Sequence, residues 1–271
     1  MDHSRTLPVL AAAVLVSFVA TAKADPIAYM GTDTGEFGTI DLTTGVFSLL
    51  GNSGQTLAGM AVADGKLFAS AYHTASGTLF NVNQANGALT TVGISGIDID
   101  DFGSTTSGLF GVGVNGDLYS FNPSTAAATL VGPTGIGFGS WRGLSTNSAT
   151  LYFADGINLY TLNTSTGAAT LVGDMGGGVE IGALLEEGGI LYGGEEEPSL
   201  QVDTLDPVTG LATAGPPLTG ASGHFYALAP YPIPTPPPPV PEPATLGLLG
   251  VGIAGVAALR LAKRRRQSDV T

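Results

Sequence analysis

LYTLNTSTGAATLVG, residues 159–173, carries the pattern that decides the fold. A short apolar strand runs into Asn163, a turn reaches Gly167, and a second strand ends on Val172-Gly173. The same phrase recurs as TIDLTTGVFSLLG (39–51), LFNVNQANGALTTVG (79–93), LYSFNPSTAAATLVG (118–132) and QVDTLDPVTGLATAG (201–215). Aligned on Gly45, Gly87, Ala126, Gly167 and Gly210, the copies are spaced by 42, 39, 41 and 43 residues. A repeat of about 41 residues is the period of four-stranded blades, so the chain reads as an all-β protein, a five-bladed β-propeller. A β-solenoid is the architectural alternative, but its coils are usually shorter.

Each copy divides into four strands separated by Gly, Asn, Asp or Pro turns, with β-branched and aromatic residues alternating. One complete unit is expected at 57–63, 66–72, 78–83 and 88–93. The Asn/Asp-x-x-x-Gly stretch between its last two strands is a hairpin loop whose Gly supplies a positive φ. The first copy lacks its own leading strand, having only 27–30, 37–42 and 46–50, while 223–229 is left over after the fifth. The leftover strand is expected to pair with 27–30 and close the ring, removing the exposed edges of an open array. In general style the body resembles bacterial lactonase-like and quinoprotein-like propellers, with no blade signature that assigns a named family.

The domain expected at 25–229 is long enough to bury one sizeable core. Between residues 25 and 240 only Lys66 and Arg142 stand against nineteen of the chain's 22 carboxylates. So acidic a surface repels phosphate backbones and excludes nucleic acid as a partner, while suiting divalent cations or cationic partners. The chain has no cysteine, hence no disulfide framework and no thiolate nucleophile or ligand.

The two ends read as addresses. Arg5, the apolar run 9–20 and Ala22-Lys23-Ala24 make a secretory signal peptide over residues 1–24, with cleavage directed by Ala22 and Ala24. A Pro-rich linker over 230–243, extended as polyproline II, ends in Pro241-Glu242-Pro243. The apolar run 244–259 rises about 24 Å as a helix, and a transmembrane helix over 244–262 is expected. Arg260, Lys263, Arg264, Arg265 and Arg266 hold its far end, and the tail 263–271, on the cytoplasmic side. Triplet, span and Arg cluster, in that order, closely resemble the PEP-CTERM sorting signal of Gram-negative bacteria. That resemblance implies an exosortase-type processing enzyme as partner, with Pro241, Glu242 and Pro243 as its recognition triplet. It also implies export through the inner membrane, transient anchoring there, and delivery to the cell surface or the extracellular matrix of a biofilm.

No motif in the body names a reaction, and no catalytic residue is assigned. Gly111-Val-Gly113-Val-Asn-Gly116 matches a dinucleotide-binding pattern but lies between two strands with no helix to follow, and reads as hairpin glycines. Asp98, Asp100 and Asp101 are the candidate ligands of a hard cation such as Ca²⁺, because closely spaced carboxylates at a turn supply several oxygens. Asp98 and Asp100 are expected on one face of an inner strand, within reach of Glu180. Glu195-Glu196-Glu197 is expected as a solvated loop. Trp141, the only tryptophan, and its neighbour Arg142 break the repeat and mark a candidate ligand-binding site. The residues therefore favour a non-catalytic structural or binding propeller that takes extracellular polysaccharide or another partner. The alternative is a secreted glycosidase or lactonase-like hydrolase using Asp98, Asp100, Glu180 and Glu186, or a metal, in the central channel. One prediction follows from the tail alone. Replacing Arg264, Arg265 and Arg266 with Glu impairs anchoring or processing, read as loss of surface delivery by fractionation; unchanged delivery contradicts the assigned orientation.

Overall fold

In a computed structural model of the chain, residues 26–74, 76–137 and 141–231 are described. The expected leader with Ala22 and Ala24 lies outside them, as do the Pro-rich stretch beyond Tyr231, the Pro241-Glu242-Pro243 triplet, the apolar span and the basic tail with Arg260 and Lys263 to Arg266. Twenty strands and no helix are found among the described residues.

The strands fall into five antiparallel units of four. The first unit contains β1 (Ile27–Thr32), β2 (Glu36–Asp41) and β3 (Phe47–Asn52). The second is β4 (Leu57–Ala63), β5 (Lys66–Ala71), β6 (Thr78–Val82) and β7 (Leu89–Ile94). The third is β8 (Ile99–Thr105), β9 (Gly108–Gly113), β10 (Asp117–Phe121) and β11 (Ala128–Pro133). The fourth is β12 (Arg142–Thr146), β13 (Leu151–Asp155), β14 (Asn158–Leu162) and β15 (Ala169–Asp174). The fifth is β16 (Glu180–Glu187), β17 (Ile190–Glu197), β18 (Gln201–Leu205) and the short β19 (Ala212–Thr213). The last strand, β20 (Phe225–Pro230), returns to pair with β1 in the register Ala28↔Pro230 to Gly31↔Ala227 and completes the first blade. The ring is a five-bladed propeller closed by its own two ends.

The repeated turn shows why its residues recur. In each copy the Asn or Asp carbonyl accepts the N–H of the fifth residue, at 2.7–2.9 Å, and its side-chain oxygen accepts an N–H two residues on. The fifth residue sits at positive φ, +82° at Gly167 and +62° at Ala126, the one copy that has no Gly there. The Val-Gly at the end of the phrase has its own cause. Val92, Val131 and Val172 are each skipped in the pairing of the outer strand, a β-bulge that swings the Val inward, where it packs against a core cluster. The Gly that follows then lies against the turn of the next blade: a Cβ at Gly132 would stand 2.2 Å from the Thr166 carbonyl, and one at Gly173 2.0 Å from that of Thr209.

Five apolar clusters fill the five interfaces between blades. Successive residues of β1 serve different interfaces: Ala28 and Met30 pack with the fifth blade, Tyr29 with the second. The inner strands β20, β4, β8, β12 and β16 run in one direction round the axis, and β12 and β16 pair in parallel at Ser145↔Leu184 and Thr146↔Leu185. The Thr146 hydroxyl donates to the Met60 carbonyl two blades away, and both residues are buried, so the axis is closed at that level rather than open as a channel.

The close approach of the inner strands is testable. A Cβ at Gly103 would stand 2.4 Å from the Ser145 carbonyl of the next inner strand, whereas Gly54, at φ +78°, has nothing within 4 Å. Gly103→Ala should destabilise by about 1–3 kcal/mol through overpacking, against about 1 kcal/mol for Gly54→Ala from its left-handed backbone. Chemical denaturation measures both, and equal losses would show that the inner strands have room to move apart.

Candidate functional site

Every inner strand enters the ring from the same face, so the first residues of the five converge around the axis there. Ala58, Asp100, Arg142, Gly182 and Phe225 line one pocket, joined by Tyr72 and Trp141. Ala58, Asp100 and Gly182 are all β-bulge residues, skipped in the pairing of their strands. A bulge re-aims its side chain, and small residues at two of the three leave the opening that the acid at the third faces.

Arg142 organises the floor. Its guanidinium pairs with Asp100 through Nη1 and with Asp155 through Nε, the latter at 3.0 Å, and all three side chains are largely buried. Burial lowers the pKa of Arg142 and the Asp155 carboxylate opposes that fall. His73, in the turn after β5, brings Nε2 to 3.1 Å from Asp100 and packs edge-on against Tyr72. On the other side His224, just before β20, pairs through Nδ1 with the buried Glu196. Its ring stacks on Trp141, with centroids 5.6 Å apart and an interplanar angle of 8°. The pocket holds only about 30 Å³, the share of one water in the liquid. It has room for one small polar group beside the Trp141–His224 stack.

Several sequence expectations come out differently. Asp98, Asp100 and Asp101 do not form one ligand set. The bulge at Asp100 breaks the alternation that would have put Asp98 and Asp100 on one face; Asp98 precedes β8, and Asp100 turns to Arg142 and His73. Asp101 is buried, its Oδ1 accepting the Phe102 N–H at 2.7 Å, and desolvation pushes its pKa well up. Among the described residues no group of three His, Cys, Asp or Glu is arranged to hold a metal ion. Glu186 sits at the far end of β16 from Glu180 and accepts a hydrogen bond from Ser148 at 2.6 Å, so the four carboxylates of the hydrolase alternative are not gathered. Glu195-Glu196-Glu197 is not a solvated loop but the end of β17, with Glu195 1% and Glu196 4% exposed. The pairing skips Glu196, a bulge that buries neighbouring side chains on different sides of the strand. The glycines of Gly111 to Gly116 do form a hairpin, Gly116 N–H donating to the Gly113 carbonyl at 2.8 Å. His73, His224, Asp155 and Glu196 were missed as site residues. Only the scarcity of histidine in the body pointed to the first two, and nothing in the repeat marked the carboxylates.

Comparison with known proteins places the tail and the fold. Residues 239–266 match the PEP-CTERM protein-sorting motif. A PEP-CTERM motif implies an exported chain, anchored transiently in the membrane and recognised by an exosortase-type processing enzyme. No curated protein matches the chain. Among solved structures, one chain from the crystal structure of a nidogen/laminin complex is similar, with a TM-score of 0.51 and 10% identity over 75% of this chain and 97% of that one. That likeness supports the propeller fold and carries nothing about the site.

Burial makes the ring acid-retaining. Desolvation raises Asp101 well above the usual carboxylate range, Glu195 to about 7 with the help of nearby Asp203, and Glu196 to about 9. The folded chain thus keeps protons that unfolded carboxyls release near pH 4–4.5. More protons bound when folded means that stability falls as pH rises, through about 7 for Glu195 and about 9 for Glu196. Denaturation at pH 5, 7 and 9 should show this fall, and Glu196→Gln should flatten it above pH 7. An unchanged slope in the variant would mean that Glu196 is already ionised in the fold at neutrality.

Proposed function

We propose that this is a non-catalytic binding component of the cell envelope, exported with cleavage after Ala24 and held through residues 244–262 until an exosortase-type enzyme processes it. Released to the surface or the extracellular matrix, it binds carbohydrate at the axial mouth of the propeller. The observation that carries the reading is the Trp141–His224 stack beside a pocket of one-hydroxyl size, ringed by Tyr72, Asp100 and Arg142. Aromatic faces set beside hydrogen-bonding groups suit a sugar, whose ring presents an apolar face and a rim of hydroxyls. Asp100 and Asp155 are both engaged with Arg142, so these two groups favour fixed hydrogen bonding over acid–base chemistry. The acidic body keeps the ring away from anionic lipid and lets it stand in a hydrated matrix.

Co-sedimentation of the purified protein with the producing organism's extracellular polysaccharide, with and without Ca²⁺, tests this. Saturable binding that weakens about five- to tenfold in Trp141→Ala, as expected for one lost aromatic platform, supports the axial site. Binding that is absent, or indifferent to Trp141, overturns it.

A further inference from the structure

A second cleft lies away from the axis, on the fifth blade. It measures about 470 Å³, within the range of small-molecule sites. Met175, Gly176, Val179, Leu211 and Ala212 form its walls, and Glu195 and Asp203 contribute to its lining. The pairing of β17 with β18 explains the juxtaposition. Glu195 faces Gln201 and Gly193 faces Asp203, so Glu195 and Asp203 are diagonal neighbours on one face of the hairpin. Both residues are 1% exposed.

One oxygen of each carboxyl is fixed by the protein. Glu195 Oε1 accepts the Ser199 N–H at 3.2 Å. Asp203 Oδ1 accepts from Gln201 Nε2 at 2.8 Å and from the Gly215 N–H at 3.2 Å. The other two oxygens, Glu195 Oε2 and Asp203 Oδ2, are buried without a backbone or hydroxyl donor; the two carboxyls bond to each other, which takes a shared proton, and the Gln201 amide also reaches Glu195. Asp174 is the nearest acid of the glycine loop in sequence, and its carboxylate accepts the Gly176 N–H at 2.7 Å. Two buried carboxylates cannot both ionise side by side without a positive charge between them.

We propose that this cleft binds an organic cation, an ammonium or guanidinium group on an apolar stem, whose N–H donors satisfy Glu195 Oε2 and Asp203 Oδ2 while the stem lies against Met175, Val179 and Leu211. A metal ion suits the site less well. Ca²⁺ takes six to eight oxygens, whereas two carboxylate oxygens that share one proton beside a half-apolar cleft match the donors of one ammonium or guanidinium group in place of that proton. In the unliganded cleft a proton stands in for the cation, in keeping with Glu195 raised to about 7 by burial and by Asp203. Binding the cation displaces that proton, so affinity rises with pH.

The test uses the purified full-length protein titrated with n-butylammonium and n-butylguanidinium, with n-butanol and CaCl₂ as comparison arms, followed by calorimetry at pH 5.5 and 8.5. The two cations should bind about thirtyfold more tightly at the higher pH, because a carboxyl titrating at about 7 is almost wholly protonated at pH 5.5 and almost wholly ionised at pH 8.5, and release protons at the lower one. Glu195→Gln keeps the acceptor for the Ser199 N–H, replaces the oxygen that faces the cation by an NH2 donor, removes one charge and should weaken binding by about tenfold or more at pH 8.5 while losing the pH dependence. A response to butylammonium alone identifies an amine-type ligand, and one to butylguanidinium alone an arginine-like group. No binding by either cation overturns the proposal, as does equal binding of n-butanol, or binding by Ca²⁺ alone. Trp141→Ala should leave this binding intact, which separates it from the axial site.

Discussion

The ring depends on how closely its five inner strands approach one another. Around the axis they meet backbone to backbone: a Cβ at Gly59 would stand 2.1 Å from the Phe102 carbonyl, at Gly103 2.4 Å from that of Ser145, and at Gly182 2.7 Å from that of Phe225. Where no side chain can stand between strands, the apolar residues must pack further out. The core is therefore five wedges between blades, one for each interface, rather than a single centre. The close packing also explains the polar residues at the axis. Ser104, Ser145, Thr146 and Ser148 are fully buried, and Ser104 and Ser145 accept the backbone N–H groups of Val62 and Tyr152.

A ring built this tightly cannot tilt its inner strands to admit a ligand, so the opening at one face is made by local irregularity. Bulges at Ala58, Asp100 and Gly182 turn residues toward the mouth, and the bulge at Glu196 places a carboxyl under His224. Five near-identical blades thus present five different residues at the axis: a methyl, an acid, a base, a bare backbone and an aromatic ring. Function enters as departure from the repeat. The same bulge at Glu196 separates two adjacent acids, sending Glu196 toward His224 at the axis and Glu195 toward Asp203 in the off-axis cleft.

Much of the fold was legible because the repeat is dictated by local chemistry. The side-chain oxygen of Asn163 and the positive φ of Gly167 act within five residues, so the hairpin could be read from its own letters. The orphan strand at 223–229 announced its pairing with 27–30 because neither end had another partner. Trp141 and Arg142 stood out as interruptions of the pattern and do meet in one pocket with Asp100. The metal set failed for a physical reason: a bulge shifts alternation by one, and the skipped residue leaves no mark in composition. Glu195 to Glu197 misled in the same way, since three consecutive acids suggest solvent, and only burial between blades shows that two of them are held inside.

The number of blades, the turn at each outer hairpin, the closure of the ring and the tail that matches the sorting motif can all be read from the chain, because each depends on residues near in sequence or on an unmatched end. Which side chains face one another is fixed only when the blades close on each other. His73 with Asp100, Arg142 with Asp155 and His224 with Glu196 and Trp141 are contacts made across strands and across blades, set by strand register and by bulges. A one-residue shift of register turns a side chain to the other face of its strand, and nothing local to these residues fixes that choice.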